Sequence, residues 1–151
     1  MAVTSRIAAA QDGLLAALQA QAAGQGSPLA GVQLTLGWPV DQQAESCWVD
    51  EAGSAEQAFA STTSPSTAED EETIRLTVRV LVRRGELSYK EARDRALAIA
   101  GEVHEALRAD RTLGGAVFDA VVVGLDLESG VEGEARLVGV SVRVEARAFL
   151  A

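Results

Sequence analysis

From residue 72 to 84 the chain alternates. Ile74, Leu76, Val78, Val80 and Val82 share one side of an extended backbone, and Arg75, Arg79 and Arg83 share the other. A period of two over this length predicts a strand with one buried and one solvated face. The alternation returns at 118–128, with Val121, Val123, Leu125 and Leu127 on one side. It returns again at 135–150, where Val138, Val140, Val142 and Val144 oppose Ser141, Arg143, Glu145 and Arg147. Two shorter apolar stretches predict further strands. One is GVQLTLG at 31–37, with Val32, Leu34 and Leu36 inward, and the other is SCWVD at 46–50; Pro39 sits in a turn between them.

The period lengthens to that of a helix in two places. Residues 4–22 place Ile7, Leu14, Leu15 and Leu18 on one broad face, with Thr4 or Ser5 to cap the start and Gly24 to close the end. Residues 88–110 align Tyr89, Ala92, Ala96, Ile99, Val103 and Leu107, and Gly114 with Gly115 ends the connection. Ser88 and Glu91 stand at capping-box spacing, in which each side chain satisfies the other residue's backbone N–H. Gly85 breaks the strand before this helix, and SGVEGE turns the chain between the last two strands. Residues 51–71 differ from everything else: small, polar and without period, they read as a long loop, with Phe59 as an isolated apolar anchor.

The order is α-β-β-loop-β-α-β-β. Strands in hairpin-like pairs and two separate helices predict an α+β fold, a mainly antiparallel sheet with both helices on one face and the other face polar. The length of 151 residues favours one domain, 1–151, able to bury a core without staples. Only 4% of residues are aromatic, so that core is built from Ala, Val, Leu and Ile.

Composition narrows the chemistry. Cys47 is the one cysteine and His104 the one histidine, which excludes an internal disulfide, a thiolate zinc cluster and a paired-histidine metal site. No run of about 18 apolar residues is present, and Gln11, Asp12 and Gln19 interrupt the N-terminal apolar stretch, so neither a membrane span nor a targeting segment is expected. The glycine-rich stretches match neither a dinucleotide nor a P-loop pattern, and no nucleophile elbow occurs. Cys47 beside Trp48 reads as a buried small hydrophobe rather than a partner for His104. No enzyme and no cofactor is expected. The contiguous acids Glu69, Asp70, Glu71 and Glu72 lack the alternation of a calcium loop and read as a solvated acidic gatekeeper before the strand.

The arginines pose the remaining question, because the formal net charge is −9. Arg75, Arg79 and Arg83 are spaced by four, so neighbours lie roughly 13 Å apart along a strand; Arg143 and Arg147 repeat the spacing. One reading makes them ordinary solvent-face residues, some paired with Glu145. Nucleic-acid binding would need a basic surface with stacking aromatics, and this chain is acidic and poor in aromatics. A subunit contact fits better: the planar guanidinium meets carboxylates bidentately, and one protomer's arginines could meet the next protomer's acids in a closed ring.

The strand, the helix ending LRADRTLGG, the valine-rich strand, the GVEGEAR turn and the long last strand together resemble the tail terminator (tail completion) proteins of long-tailed bacteriophages, over roughly residues 31–150. The resemblance implies a structural virion protein of the tail or neck, assembled in the host cytoplasm. It implies a homo-oligomeric ring, commonly a hexamer, that caps the tail tube, stops its polymerisation and joins it to the head connector. Partners would then be further copies of the chain, the tail tube protein and the head–tail connector protein. DNA would slide through an acidic lumen without sticking. A different neck or minor tail component, and a small ligand-binding α+β domain, are the alternatives. By position, the contact residues would be Arg75, Arg79, Arg83, Arg143, Arg147, Glu69, Asp70, Glu71, Glu72 and Phe59.

Overall fold

Both helices pack on one side of a single six-stranded sheet, and every element contributes to the apolar layer between them or rests on it. The computed structural model describes residues 5–58 and 70–150. In chain order the elements are α1 (Ile7–Ala22), β1 (Gln33–Leu36), β2 (Glu45–Val49), β3 (Ser54–Ala58), β4 (Glu71–Arg83), α2 (Tyr89–Ala109), β5 (Asp119–Glu132) and β6 (Ala135–Phe149). The α+β expectation holds, including the order of elements.

Strands β4 and β6 form the spine, antiparallel in unbroken register from Glu71 opposite Phe149 to Arg83 opposite Leu137. Side chains alternate as the pattern requires. Ile74, Leu76, Val78, Val80 and Val82 of β4 and Val138, Val140, Val142 and Val144 of β6 are buried beneath the helices. Each such side chain is worth about 1.5–3 kcal/mol. The sheet order is β1-β2-β4-β6-β5.

The strand layout departs from the sequence expectation in four places. First, the segment read as a loop at 51–71 contains β3, which pairs with Glu71–Arg75 of β4 just beyond the Val78–Val82 stretch that β2 occupies. β2 and β3 thus lie end to end along the same side of β4, with β1 outside β2. Its side-chain run SAEQA is too short and polar to show as a strand by period alone. Second, β1 runs parallel to β2, with Gln33 opposite Ser46, so residues 37–44 double back rather than forming a hairpin. Leu36, expected inward, is half-exposed at the sheet edge. Third, a β-bulge between Val122 and Gly124 flips the parity of β5. Val121 lies opposite Glu145 on the open face, whereas Leu125 and Leu127 lie opposite Val142 and Val140 on the helix side. The four residues expected on one side are therefore split. Fourth, pairing continues through Ser129–Glu132, and only Gly133 (φ 60°) and Glu134 make the turn.

Helix α2 starts as expected. Ser88 Oγ accepts the Glu91 N–H at 3.2 Å and Glu91 Oε1 accepts the Ser88 N–H at 3.4 Å. Its buried stripe runs from Ala92 to Leu107, while Tyr89 at the first turn is partly exposed, its ring flanked by the guanidinium groups of Arg93 and Arg136. After α2, Asp110 organises the return loop. Its carboxylate accepts from the Thr112 hydroxyl (2.7 Å), the Thr112 N–H (3.0 Å) and the Gly114 N–H (2.7 Å), which holds its pKa below the usual carboxylate range. That loop drives Leu113 into the core at a positive φ of 50°. No helix among the described residues is long and apolar enough to cross a membrane.

Candidate subunit interface

The open face of the sheet carries the arginines, as the alternation predicted, and each has a carboxylate of its own chain within reach. Arg79 Nε donates to Asp50 Oδ2 at 2.6 Å, and its Nη1 reaches Ser141 Oγ at 3.0 Å. Arg75 lies 3.3 Å from Glu56 and 3.9 Å from Glu145, and Arg83 lies 3.4 Å from Glu132. Arg143 pairs with Asp126 at 3.2 Å, and Arg147 with Glu71 at 2.8 Å, its guanidinium also lying over the Phe118 ring. Arg143 can stretch across β5 because its cross-strand neighbour is Gly124, where any Cβ would meet the guanidinium.

The face is thus a carpet of alternating charge, neutralised within the chain. Exposed ion pairs of this kind contribute about 0.2–1 kcal/mol each. Asp50 shows the balance: burial raises its pKa, and the Arg79 hydrogen bond with the Ala52 N–H and further contacts lowers it more, leaving it below the ordinary value. Pairs this weak can exchange their partners for a neighbour's at little cost.

The acidic run divides. Glu71 faces outward to Arg147, and Asp70 offers its carbonyl to the Leu150 N–H at 2.8 Å. Glu72 does not belong to a solvated cluster: it is 0% exposed, on the core side of β4. Oε1 accepts from Ser5 Oγ (3.0 Å) and the Arg6 N–H (2.8 Å), and Oε2 accepts from Gln57 Nε2 (2.7 Å). Parity explains the correction, because β4 begins at Glu71 and every even position from 72 to 82 points to the helices. Phe59 and Glu69 lie outside the described residues.

A second acid, Glu45 at the start of β2, holds the sheet to α2. Arg95 clamps it through Nε (2.7 Å) and Nη2 (3.1 Å) and also donates to the Pro28 carbonyl. The Arg95 hydrogen bond, foremost, keeps the Glu45 pKa below its ordinary value, against the opposing effect of burial. A depressed carboxylate adds stability above its unfolded pKa, about 4.3, and loses it as pH falls through the folded value. Glu45→Gln is therefore expected to cost about 1 kcal/mol at pH 7. Urea titrations repeated downward in pH should show that gap closing below about pH 4.5; a gap constant down to pH 3 would contradict the assignment.

Cys47 sits in the core on β2, where burial pushes its thiol up to about 12, so it carries no thiolate at neutral pH. His104 is exposed on α2, in a cleft with Leu107, Arg108 and Val121.

Sequence reasoning missed the sheet edges. On one side, Trp38 stands edge-on to Trp48 with ring centroids 5.0 Å apart and remains 59% exposed, and Val40 beyond it is 96% exposed. On the other, Val123, Leu125, Leu127 and Val131 of β5 are all substantially exposed. Trp38 beside Pro39 and Val40 in a turn was the available signal; the second edge was hidden by the bulge.

No protein-family model matches the chain, and no curated protein matches it. Among solved structures it is similar to a chain from the virion of a native gene transfer agent (GTA) particle, at 16% sequence identity and a TM-score of 0.49, over 95% of this chain and 97% of that one.

Proposed function

We propose that this protein is a structural virion component acting as a tail terminator: a homo-oligomeric ring, a hexamer on the family pattern, that caps the tail tube, ends its polymerisation and joins it to the head connector. One observation carries the reading beyond the sequence resemblance. Among the described residues, nothing pairs with the outer edge of β5 or of β1 and large apolar side chains stand exposed beside both, and an exposed apolar edge strand is an association surface unless something covers it. The carpet of exchangeable ion pairs on the open face supplies a second, polar contact, to the next subunit or to the tube ring below. Arg75, Arg79, Arg83, Arg143 and Arg147 with Glu71 form that contact. The net charge of −9 suits a lumen along which DNA slides.

Antibody-gold labelling of the parent particle tests the role: label should sit at the head-proximal end of the tail, and label along the tube or at its distal tip would exclude termination. Arg79→Glu tests the open face. It places a second acid beside Asp50 and should weaken ring or tube association several-fold while far-UV circular dichroism stays unchanged. Unaltered association would remove the arginine face from the interface.

A further inference from the structure

Among the described residues the sheet ends in β5 on one side and β1 on the other, and the two edges differ. At the β5 edge, the bulge turns Leu125, Leu127 and Val131 to the helix side of the sheet. Helix α2 walls this strip. His104 lines a cleft with Leu107 and Val122 at one end, and Arg93 shares the Tyr89 ring with Arg136 at the other. Leu97, partly exposed, falls between them at helical spacing. The result is an apolar trough beside a 14-residue strand whose outer edge pairs with nothing among the described residues.

At the opposite edge, Gly37 (φ 80°) turns the chain after β1; Trp38, its ring edge-on to Trp48 on the open-face side of β2, and Val40 stand exposed there with the half-exposed Leu36. The charges left over also match. Arg136, opposite Val131 at the trough, has no carboxylate partner among the described residues, whereas nearly all other cations do. Asp41 follows Val40, and Glu51 accepts the Trp38 N–H at 3.2 Å; neither has a cation among the described residues.

We propose that the Leu36–Val40 edge of one copy seats in the β5–α2 trough of the next, with Arg136 facing Asp41 and Glu51 of that neighbour. Two different patches on opposite edges make the contact head-to-tail, and head-to-tail contacts close into rings when the rotation permits. This assignment rests on the ring reading and gives it a lateral contact, leaving the arginine face for stacking. Trp38 is its anchor, since buried tryptophans dominate interface energetics.

Disulfide trapping tests it, because Cys47 is buried and leaves introduced cysteines as the reactive thiols. Val40→Cys and Leu127→Cys variants, folded by circular dichroism, are oxidised separately and mixed, while native mass spectrometry follows the unaltered protein. Rings of the unaltered protein, dimers only in the mixture, and a ladder ending at the ring size in the doubly substituted chain are expected. Trp38→Ala should raise the subunit dissociation constant about tenfold or more. Rings without cross-links in the mixture would overturn the contact and leave the ring reading standing. Dimers from Leu127→Cys alone would mean that β5 edges pair with each other, which also overturns it. A monomer at every concentration, alone and with tail tubes, would overturn both.

Discussion

Glu72→Ala is expected to destabilise the protein by about 2–3 kcal/mol, lowering Tm by roughly 4–12 °C for a domain of this size. Two effects compete. Removing a wholly buried carboxylate relieves its desolvation, which on its own would stabilise. Against that, three donors lose their acceptor at once: the Ser5 hydroxyl, the Arg6 N–H and the Gln57 amide. Hydrogen bonds to a charged group are worth about 1.5–3 kcal/mol each, so the loss outweighs the relief. The carboxylate also serves α1, whose N-cap Arg6 makes no side-chain cap and whose first turn carries no acid. Glu72 supplies from β4 the negative charge that the helix start lacks. Glu72→Gln, which keeps the shape and one acceptor, should cost about half as much. Amide exchange should rise first at the start of α1 and along β3. A Glu72→Ala variant within 0.5 kcal/mol of the parent would mean the network holds nothing together.

How far the fold could be read follows from where the pattern is long. Alternation over the length of β4 and of β6 left no choice of face, so the two-sided sheet and its arginine surface were legible. α2 was legible through its capping box and its stripe. The parts that escaped are those where one residue changes the count. A single bulge at Val123 reassigns Leu125 and Leu127 to the opposite face, and Gly124 was its one trace. Glu72 was readable by parity, but its place in a run of four acids suggested solvation instead. β3 is five small and polar residues that form a strand because β4 offers them an edge, a tertiary cause with no local signature. The candidate interface was half legible. The arginines were found, but their partners Asp50, Glu56, Asp126 and Glu132 come from other strands and turns, and no spacing in the chain announces them.

The same distinction between local and tertiary causes decides a pair of glycine substitutions with opposite signs. Alanine is favoured over glycine inside a helix by about 1 kcal/mol. Gly101 in α2 should show this, because an added Cβ there meets nothing within 4 Å; Gly101→Ala is expected to stabilise by up to that amount. Gly13 in α1 should show the reverse. Its Cβ would strike the carbonyl oxygen and Cβ of Leu113, which the return loop presses against the helix. Leu113 cannot yield easily: its side chain is buried, its φ is positive, and the bonds from Asp110 to Thr112 and Gly114 hold the loop on both sides. Overpacking against a fixed backbone costs about 1–3 kcal/mol, or more. The upper end applies when the obstacle is a carbonyl, so Gly13→Ala should be about 2 kcal/mol less stable than the parent despite its better helix propensity. Denaturant midpoints of the two variants, measured side by side, give the answer. If both move in the stabilising direction, α1 does not rest on the RADRTLGG loop. The segment that carries the resemblance to tail terminators would then lack the structural job, locking the two helices together, that the fold assigns to it.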